Sequence, residues 1–268
     1  MIRSLYAGVS GLKNHQTRMD VIGNNVANVN TYGFKASRVA FADIFSQTIG
    51  TASAPRDDMG GTNIKQVGLG SKVAAINTNW NPGSFQATET ETNVALDGDG
   101  FFMVRGSDGA TTYYTRVGNF ELDGEGNLVL SGLGYMVLSS DEDIINAKGY
   151  TSVAIDKNGV ITGLNADGTK EEIATLGVVN FYNPSGLKKI GNSLFQKDVN
   201  SGDRIEDGDL VAGQNGTGEI QSGGLEMSNV SLADEFTDMI TTQRGYQANS
   251  RVITVSDTLL EELINLKR

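Results

Sequence analysis

The sequence predicts an α+β fold, mainly β, with a helix at each end and a sheet-rich middle. Residues from Ser4 to Asn28 and from Ser231 to Lys267 place apolar side chains at spacings of three and four. The chain between them is rich in Gly, Thr, Asn and Asp and holds short alternating runs bounded by turn dipeptides. Neither end can bury its stripe alone, so the helices are expected to pack on each other or on further copies.

The N-terminal stripe runs through Leu5, Val9, Leu12, Gln16, Met19 and Val26 and stops at the cap and turn residues Gly23, Asn24, Asn25, Asn28 and Gly33. The C-terminal stripe runs through Leu232, Phe236, Met239, Gln243, Tyr246, Ser250, Ile253, Asp257, Leu260 and Ile264. A second stripe, Val252, Val255, Leu259, Leu263 and Leu266, widens its apolar face. Gln243, Ser250 and Asp257 sit where a dry coiled coil places Leu or Ile, and Gly245 costs about 1 kcal/mol relative to Ala in a helix interior. The expected self-assembly interface is therefore Leu5, Val9, Leu12, Met19 and Val26 with Leu232, Phe236, Met239, Gln243, Tyr246, Ile253, Leu260 and Ile264.

Charge favours pairing of the ends. Arg3, Lys13, Arg18, Lys35 and Arg38 outnumber Asp20 and Asp43 in residues 1–45, whereas acidic side chains outnumber basic ones in residues 225–268.

In the middle, Lys72–Ile76, Thr92–Leu96, Phe101–Arg105, Thr112–Arg116, Asn127–Leu130, Ser152–Ile155, Val160–Thr162 and Gly177–Phe181 read as strands. Asp97-Gly-Asp-Gly100, Asp123-Gly-Glu-Gly126, Lys157-Asn-Gly159 and Asp167-Gly168 read as tight turns. An antiparallel sandwich or barrel-like domain follows. Residues 46–70 contain Pro55 and paired glycines with little periodicity, which suits a flexible connector or an extended arm. The expected layout is an inner domain of residues 1–30 and 228–268, a connecting arm of 31–70 and a β-rich outer domain of 71–227.

Composition excludes several chemistries. Without Cys there is no disulfide or thiolate site, and the lone His15 rules out sites needing two imidazoles. A net charge of −11 argues against non-specific nucleic-acid binding. No stretch reaches 18 uninterrupted apolar residues, so no membrane insertion is expected. The opening MIRSLYAGVSGLKNHQ lacks the apolar core of a cleavable signal peptide. The acidic loop Asp198–Asp209 invites a calcium reading, but Gly202 and Asp203 reverse the order that an EF-hand needs. Asp97-Gly-Asp-Gly100 lacks the Lys-Ser/Thr of a phosphate loop, and no two carboxylates stand out as a glycosidase pair. No catalytic, metal or cofactor residue is assigned. A secreted binding or adhesive β module and a hydrolase are the competing classes. Either explains the sheet and leaves the complementary terminal helices without a role.

Three stretches resemble the signatures of the axial proteins of the bacterial flagellum, the family of rod and hook subunits. They are Ser10-Gly-Leu12 with Met19–Lys35, Leu96–Val104 (LDGDGFFMV), and Leu225–Val230 (LEMSNV) with Met239–Asn249. Within the family, SLYAGVSGL, VGLGSKVAAI and QRGYQANSRVI look most like a short-type hook subunit, with the distal rod subunit as the alternative. The resemblance implies a non-enzymatic homopolymer, a hollow helical tube whose inner wall is made by the terminal helices. As a hook it would be a curved universal joint and export channel; as a rod, a rigid drive shaft. It also implies distal rod, hook-capping and hook–filament junction proteins as neighbours. Export would use the flagellar type III apparatus, and the location would be extracellular, in the hook and basal body.

Overall fold

The structure, a computed structural model, describes residues 2–55, 60–165, 167–205, 210–214 and 216–266. The chain divides into two compact units, one of Met1–Ala27, Ser37–Asn77 and Ser231–Arg268, the other of Asn28–Ala36 and Thr78–Val230. The result is mainly β, with one long helix near each end and an antiparallel, sheet-rich centre.

The first unit contains helix α1 (Ile2–Ala27), strands β1 (Ser37–Asp43), β2 (Ser46–Gly50), β3 (Lys65–Gly68) and β4 (Ser71–Thr78), and helix α2 (Leu232–Asn265). The 34 residues of α2 give it a length of about 51 Å. Strands β1 and β4 pair, and α1 is fastened to them by side chains. Asn14 Nδ2 donates to Ser71 Oγ at 2.7 Å. Asn25 donates to the Ser37 carbonyl at 2.9 Å and accepts from the Ser37 amide at 3.1 Å, so one amide side chain extends the strand's backbone bonding. Where the sequence offered little periodicity, over residues 46–70, β2 and β3 form an antiparallel ribbon with a register shift between Thr48 and Gly50. Phe45 and Ile49 on it are exposed. Short strands without alternation carry no period for sequence reading to detect.

The second unit is built from β5 (Phe85–Ala87), β6 (Val94–Asp97), β7 (Phe101–Arg105), β8 (Thr112–Thr115), β9 (Phe120–Leu122), β10 (Leu128–Leu130), β11 (Tyr135–Val137), β12 (Ser152–Ile155), β13 (Val160–Leu164), β14 (Lys170–Thr175), β15 (Val178–Val179), β16 (Lys188–Gly191), β17 (Leu194–Gln196), β18 (Glu219–Ser222) and β19 (Gly224–Glu226). The main antiparallel sheet has the order β16-β17-β8-β7-β11-β10-β9, with β15 also paired to β7. β12-β13-β14 form a meander, and β6 and β5 pair with β18 and β19.

β7 is the central strand. Phe102 and Val104 enter one hydrophobic cluster with Phe120, Leu128 and Ile161, while Phe101 and Met103 enter another with Tyr114, Phe181 and Phe195. Burial on both faces explains the unbroken apolar run Phe-Phe-Met-Val. The turns at Asp123–Gly126, Lys157–Gly159 and Asp167–Gly168 connect paired strands, and Gly126, Gly159 and Gly168 adopt positive φ. The turn at Asp97–Gly100 does not. Its flanking strands β6 and β7 pair elsewhere, with β18 and with β8, so a turn dipeptide here marks a change of sheet.

Truncating Phe102 to Ala should lower the unfolding free energy of this unit by about 3–5 kcal/mol in urea titrations. Val199→Ala, at a fully exposed site, should leave it unchanged. Equal effects would contradict the placement of the core on β7.

Candidate functional site: the terminal helices and a buried charge cluster

Helices α1 and α2 run antiparallel, with Gly8 beside Ile253, Gly11 beside Asn249, His15 beside Gly245, Arg18 beside Asp238 and Asn25 beside Glu235. The contact residues of α1 follow a spacing of three and four, and so do Glu235, Asp238, Thr242, Gly245 and Asn249 on α2. This seam is small and polar. A Cβ on Gly11 would lie 2.8 Å from Asn249 Nδ2, and one on Gly245 would lie 2.6 Å from His15 Cε1. Each glycine is thus a notch for a side chain of the other helix, which explains the helix-weakening Gly245 in mid-helix.

Several polar seam residues bond within their own helix, whereas His15 Nδ1 is buried without a hydrogen-bond partner. Thr242, Asn249 and Ser256 donate to the carbonyls of Asp238, Gly245 and Val252, at 2.6, 3.0 and 2.7 Å. Between the helices, Arg18 meets Asp238 at 3.0 Å, and Asn25 Nδ2 donates to Glu235 Oε1 at 3.1 Å.

Apart from Ile253, which packs against Gly8, the stripes assigned to self-assembly lie one position away from this seam, a rotation of about 100° on each helix. Leu5, Val9, Leu12, Met19 and Val26 are half-buried, as are Met239, Ile253 and Leu260. Leu232, Phe236, Gln243, Tyr246 and Ile264 are exposed, Phe236 at 50% and Ile264 at 68%. Val252, Val255, Leu259, Leu263 and Leu266 of the second stripe are exposed as well.

Within the sheet unit lies a cluster that the sequence reading passed over. Lys35, buried at 1% exposure, places Nζ 2.6 Å from Glu226 Oε1 and donates to the Asn81 carbonyl at 2.9 Å. Glu226 Oε1 also accepts the Gly83 amide at 2.9 Å. Glu226 Oε2 faces Arg116 at 3.7 Å, and Arg116 donates to the Gly98 carbonyl at 2.7 Å and lies 5.4 Å from the centroid of the Phe101 ring. Burial pushes Lys35 and Arg116 below their ordinary ranges, against the pull of Glu226. Beside the cluster, Gly33 adopts φ +64° with the Arg116 backbone 3.0 Å from where its Cβ would be, a place only glycine fits. A Cβ on Gly83 would lie 1.9 Å from the Met227 carbonyl oxygen. Gly33 and Lys35, Gly98 and Phe101, and Glu226 come from the three signature stretches. Their one visible sign in the sequence is a lysine and a glutamate set among apolar and small residues.

The loop considered for calcium is only partly in view, since residues 206–209 lie outside the described residues. Its Asp203 pairs with Lys197. Among the described residues no three His, Cys, Asp or Glu side chains gather to hold a metal. Among the described residues, likewise, no helix is long and apolar enough to cross a membrane.

The chain thus combines a sheet unit closed around buried charge with two long helices that carry exposed apolar side chains outside their own seam. Three protein families match in chain order: flagella basal body rod protein over residues 5–35, flagellar hook protein FlgE/F/G D1 domain over 95–163, and flagellar basal body rod FlgEFG protein C-terminal over 221–266. The chain is 49% identical to the flagellar basal-body rod protein FlgG of Bacillus subtilis, and 38% identical to that of Borreliella burgdorferi, over the whole of both chains in each case. It is 30% identical to the flagellar hook protein FlgE of Borreliella burgdorferi, also end to end, in an alignment stretched to 447 positions. The chain belongs to the flagellar rod and hook protein family, whose members are structural subunits of the basal body and hook and not enzymes.

Two groups at the helix seam make its stability depend on pH in opposite senses. Burial, aided by Arg18, holds His15 below its ordinary value of 6.5, so the unfolded chain takes up this proton first and the pair loses stability as pH falls below 6.5. Burial holds Glu235 above its ordinary 4.5, against the hydrogen bond from Asn25, so protonation there adds stability as pH falls through the raised value. His15→Gln should therefore gain helix stability relative to the unsubstituted chain between pH 7.5 and 5.5, followed by thermal melting at 222 nm. Identical pH slopes for both proteins would contradict this assignment.

Proposed function

We propose that this chain is a structural subunit of the flagellar rod, adding in many copies to a hollow helical shaft. The observation that carries the reading is the displacement of both apolar stripes from the intrachain seam. Each helix spends its small, polar face on its partner within the chain and leaves its apolar face for other copies. Heterologous contacts of this kind do not close on themselves and extend as a helix.

In this reading the self-assembly interface comprises Leu5, Val9, Leu12, Met19 and Val26 of α1 with Leu232, Phe236, Met239, Gln243, Tyr246, Ile253, Leu260 and Ile264 of α2. The inner domain, residues 1–30 and 228–268, lines the channel. The arm of 31–70 touches neighbouring subunits, and residues 71–227 face outward. Delivery is by the type III export apparatus.

The sequence segments favoured the hook. What supports the rod instead is the higher identity to rod proteins together with near-equal length, 269 and 273 aligned positions against 447 for the hook protein. The surface segments shared by both kinds of subunit carry no such length information.

Leu259→Asp with Leu263→Asp should abolish incorporation and motility, while the purified chain keeps the urea unfolding midpoint of its sheet unit. A tagged chain should remain in basal bodies purified from cells arrested before hook assembly. Its absence there, with presence in completed hooks, would sink the rod reading.

A further inference from the structure

The chain passes into and out of the sheet unit four times: it enters at Asn28, leaves after Ala36, returns at Thr78 and leaves after Val230. Within a few residues of each passage the chain is bonded to the others. The Gly33 amide donates to the Glu226 carbonyl at 2.8 Å, and the Asn79 amide to the Ala36 carbonyl at 2.8 Å. The Ala36 amide donates to Asn229 Oδ1 at 2.8 Å, and Asn229 Nδ2 donates to the Asn79 and Asn81 carbonyls at 2.9 and 3.0 Å. Lys35 Nζ bridges the Asn81 carbonyl and Glu226, and the Met227 amide donates to the Ser84 carbonyl at 2.8 Å. Arg116 and Gly98 tie this knot to the sheet through Glu226.

We propose that the Lys35–Glu226–Arg116 cluster, with Asn229, is a mechanical clamp. It joins the four chain passages to one another, so that load arriving along the chain runs from passage to passage and bypasses the strands of the main sheet. This rests on the reading of the protein as a load-bearing axial subunit. Two features of the cluster suit the role. Its bonds link residues 191 and 193 positions apart in sequence, so breaking them frees the chain ends from each other at once. Its charges are shielded from water, so their attraction is not weakened by solvent or salt as a surface pair would be. Without the clamp, tension between residues 30 and 231 would fall first on the short pairs β5–β19 and β6–β18, which peel one residue at a time.

The chain has no cysteine, so Asn30→Cys with Ser231→Cys, both exposed, gives clean handles for single-molecule pulling on the full chain along the passage axis. Ser107→Cys with Lys148→Cys gives an axis through exposed sites of the sheet. Glu226→Gln should cut the rupture force along the 30–231 axis by about half while leaving the 107–148 axis little changed. Ile161→Val, a core truncation, should lower both axes in proportion to its loss of chemical stability. Asn229→Ala should reproduce the axis dependence of Glu226→Gln in a milder form and stands in for it if the glutamine variant does not fold. Equal loss on both axes, or none on the 30–231 axis, overturns the clamp. The measurement does not depend on where the subunit sits. Failure of the localisation test with axis dependence intact would remove the rod assignment and leave the clamp standing.

Discussion

A carboxylate removed from water needs cations and donors at hand, and Glu226 has both: the Lys35 ammonium, the Arg116 guanidinium and the Gly83 amide. Around this point the sheet unit is organised. Lys35 arrives on the segment that follows α1, Arg116 on the segment after β8, and Glu226 on the last strand before α2. Each is buried, so loss of any one unbalances charge in the interior and does not merely delete a contact. Gly33 and Gly83 follow from the same constraint, since the backbones that carry the charges must approach more closely than a side chain allows.

Much of the fold was legible, and the failures have physical causes. Strands buried on one or both faces, such as Phe101–Arg105 and Ser152–Ile155, announced themselves by apolar runs or alternation. Phe85–Ala87 and Lys170–Thr175 did not, because their outward side chains and brevity leave no period to read. Both helices were visible, and most of the stripe residues assigned to self-assembly lie beside the intrachain seam and not in it. Periodicity shows that an apolar stripe exists and not which neighbour it meets. Here the intrachain partner takes the glycine-notched face, and a reading that equates the most apolar stripe with the nearest contact goes astray. The charge cluster went unread for a different reason: its members lie up to 191 residues apart, and no local pattern links them.

The same logic separates what short signatures can say about function from what they cannot. The stretches ending at Lys35, spanning Leu96–Val104 and starting at Leu225 converge on one buried cluster in the sheet unit. In this chain they therefore record how the sheet unit closes. Discrimination between subunits has to come from the rest of the chain, where length and overall identity resemble the rod proteins more. The helices add a complementary constraint. A seam of Gly, Asn, Thr and Ser holds α1 and α2 together through close approach and a few polar bonds, and so leaves most of the larger apolar side chains outside it.

The central claim, that Lys35 and Glu226 act as one buried unit holding the sheet domain's chain passages together, is tested most directly by a double-mutant cycle. Lys35→Met and Glu226→Leu are combined in the full chain, with urea unfolding of the sheet unit as the measurement. Each single substitution should cost about 3–5 kcal/mol by unbalancing the buried cluster, and the double variant, in which Arg116 still loses its carboxylate, should cost clearly less than their sum. Additive losses would contradict the account, because they would mean that the two side chains contribute independently.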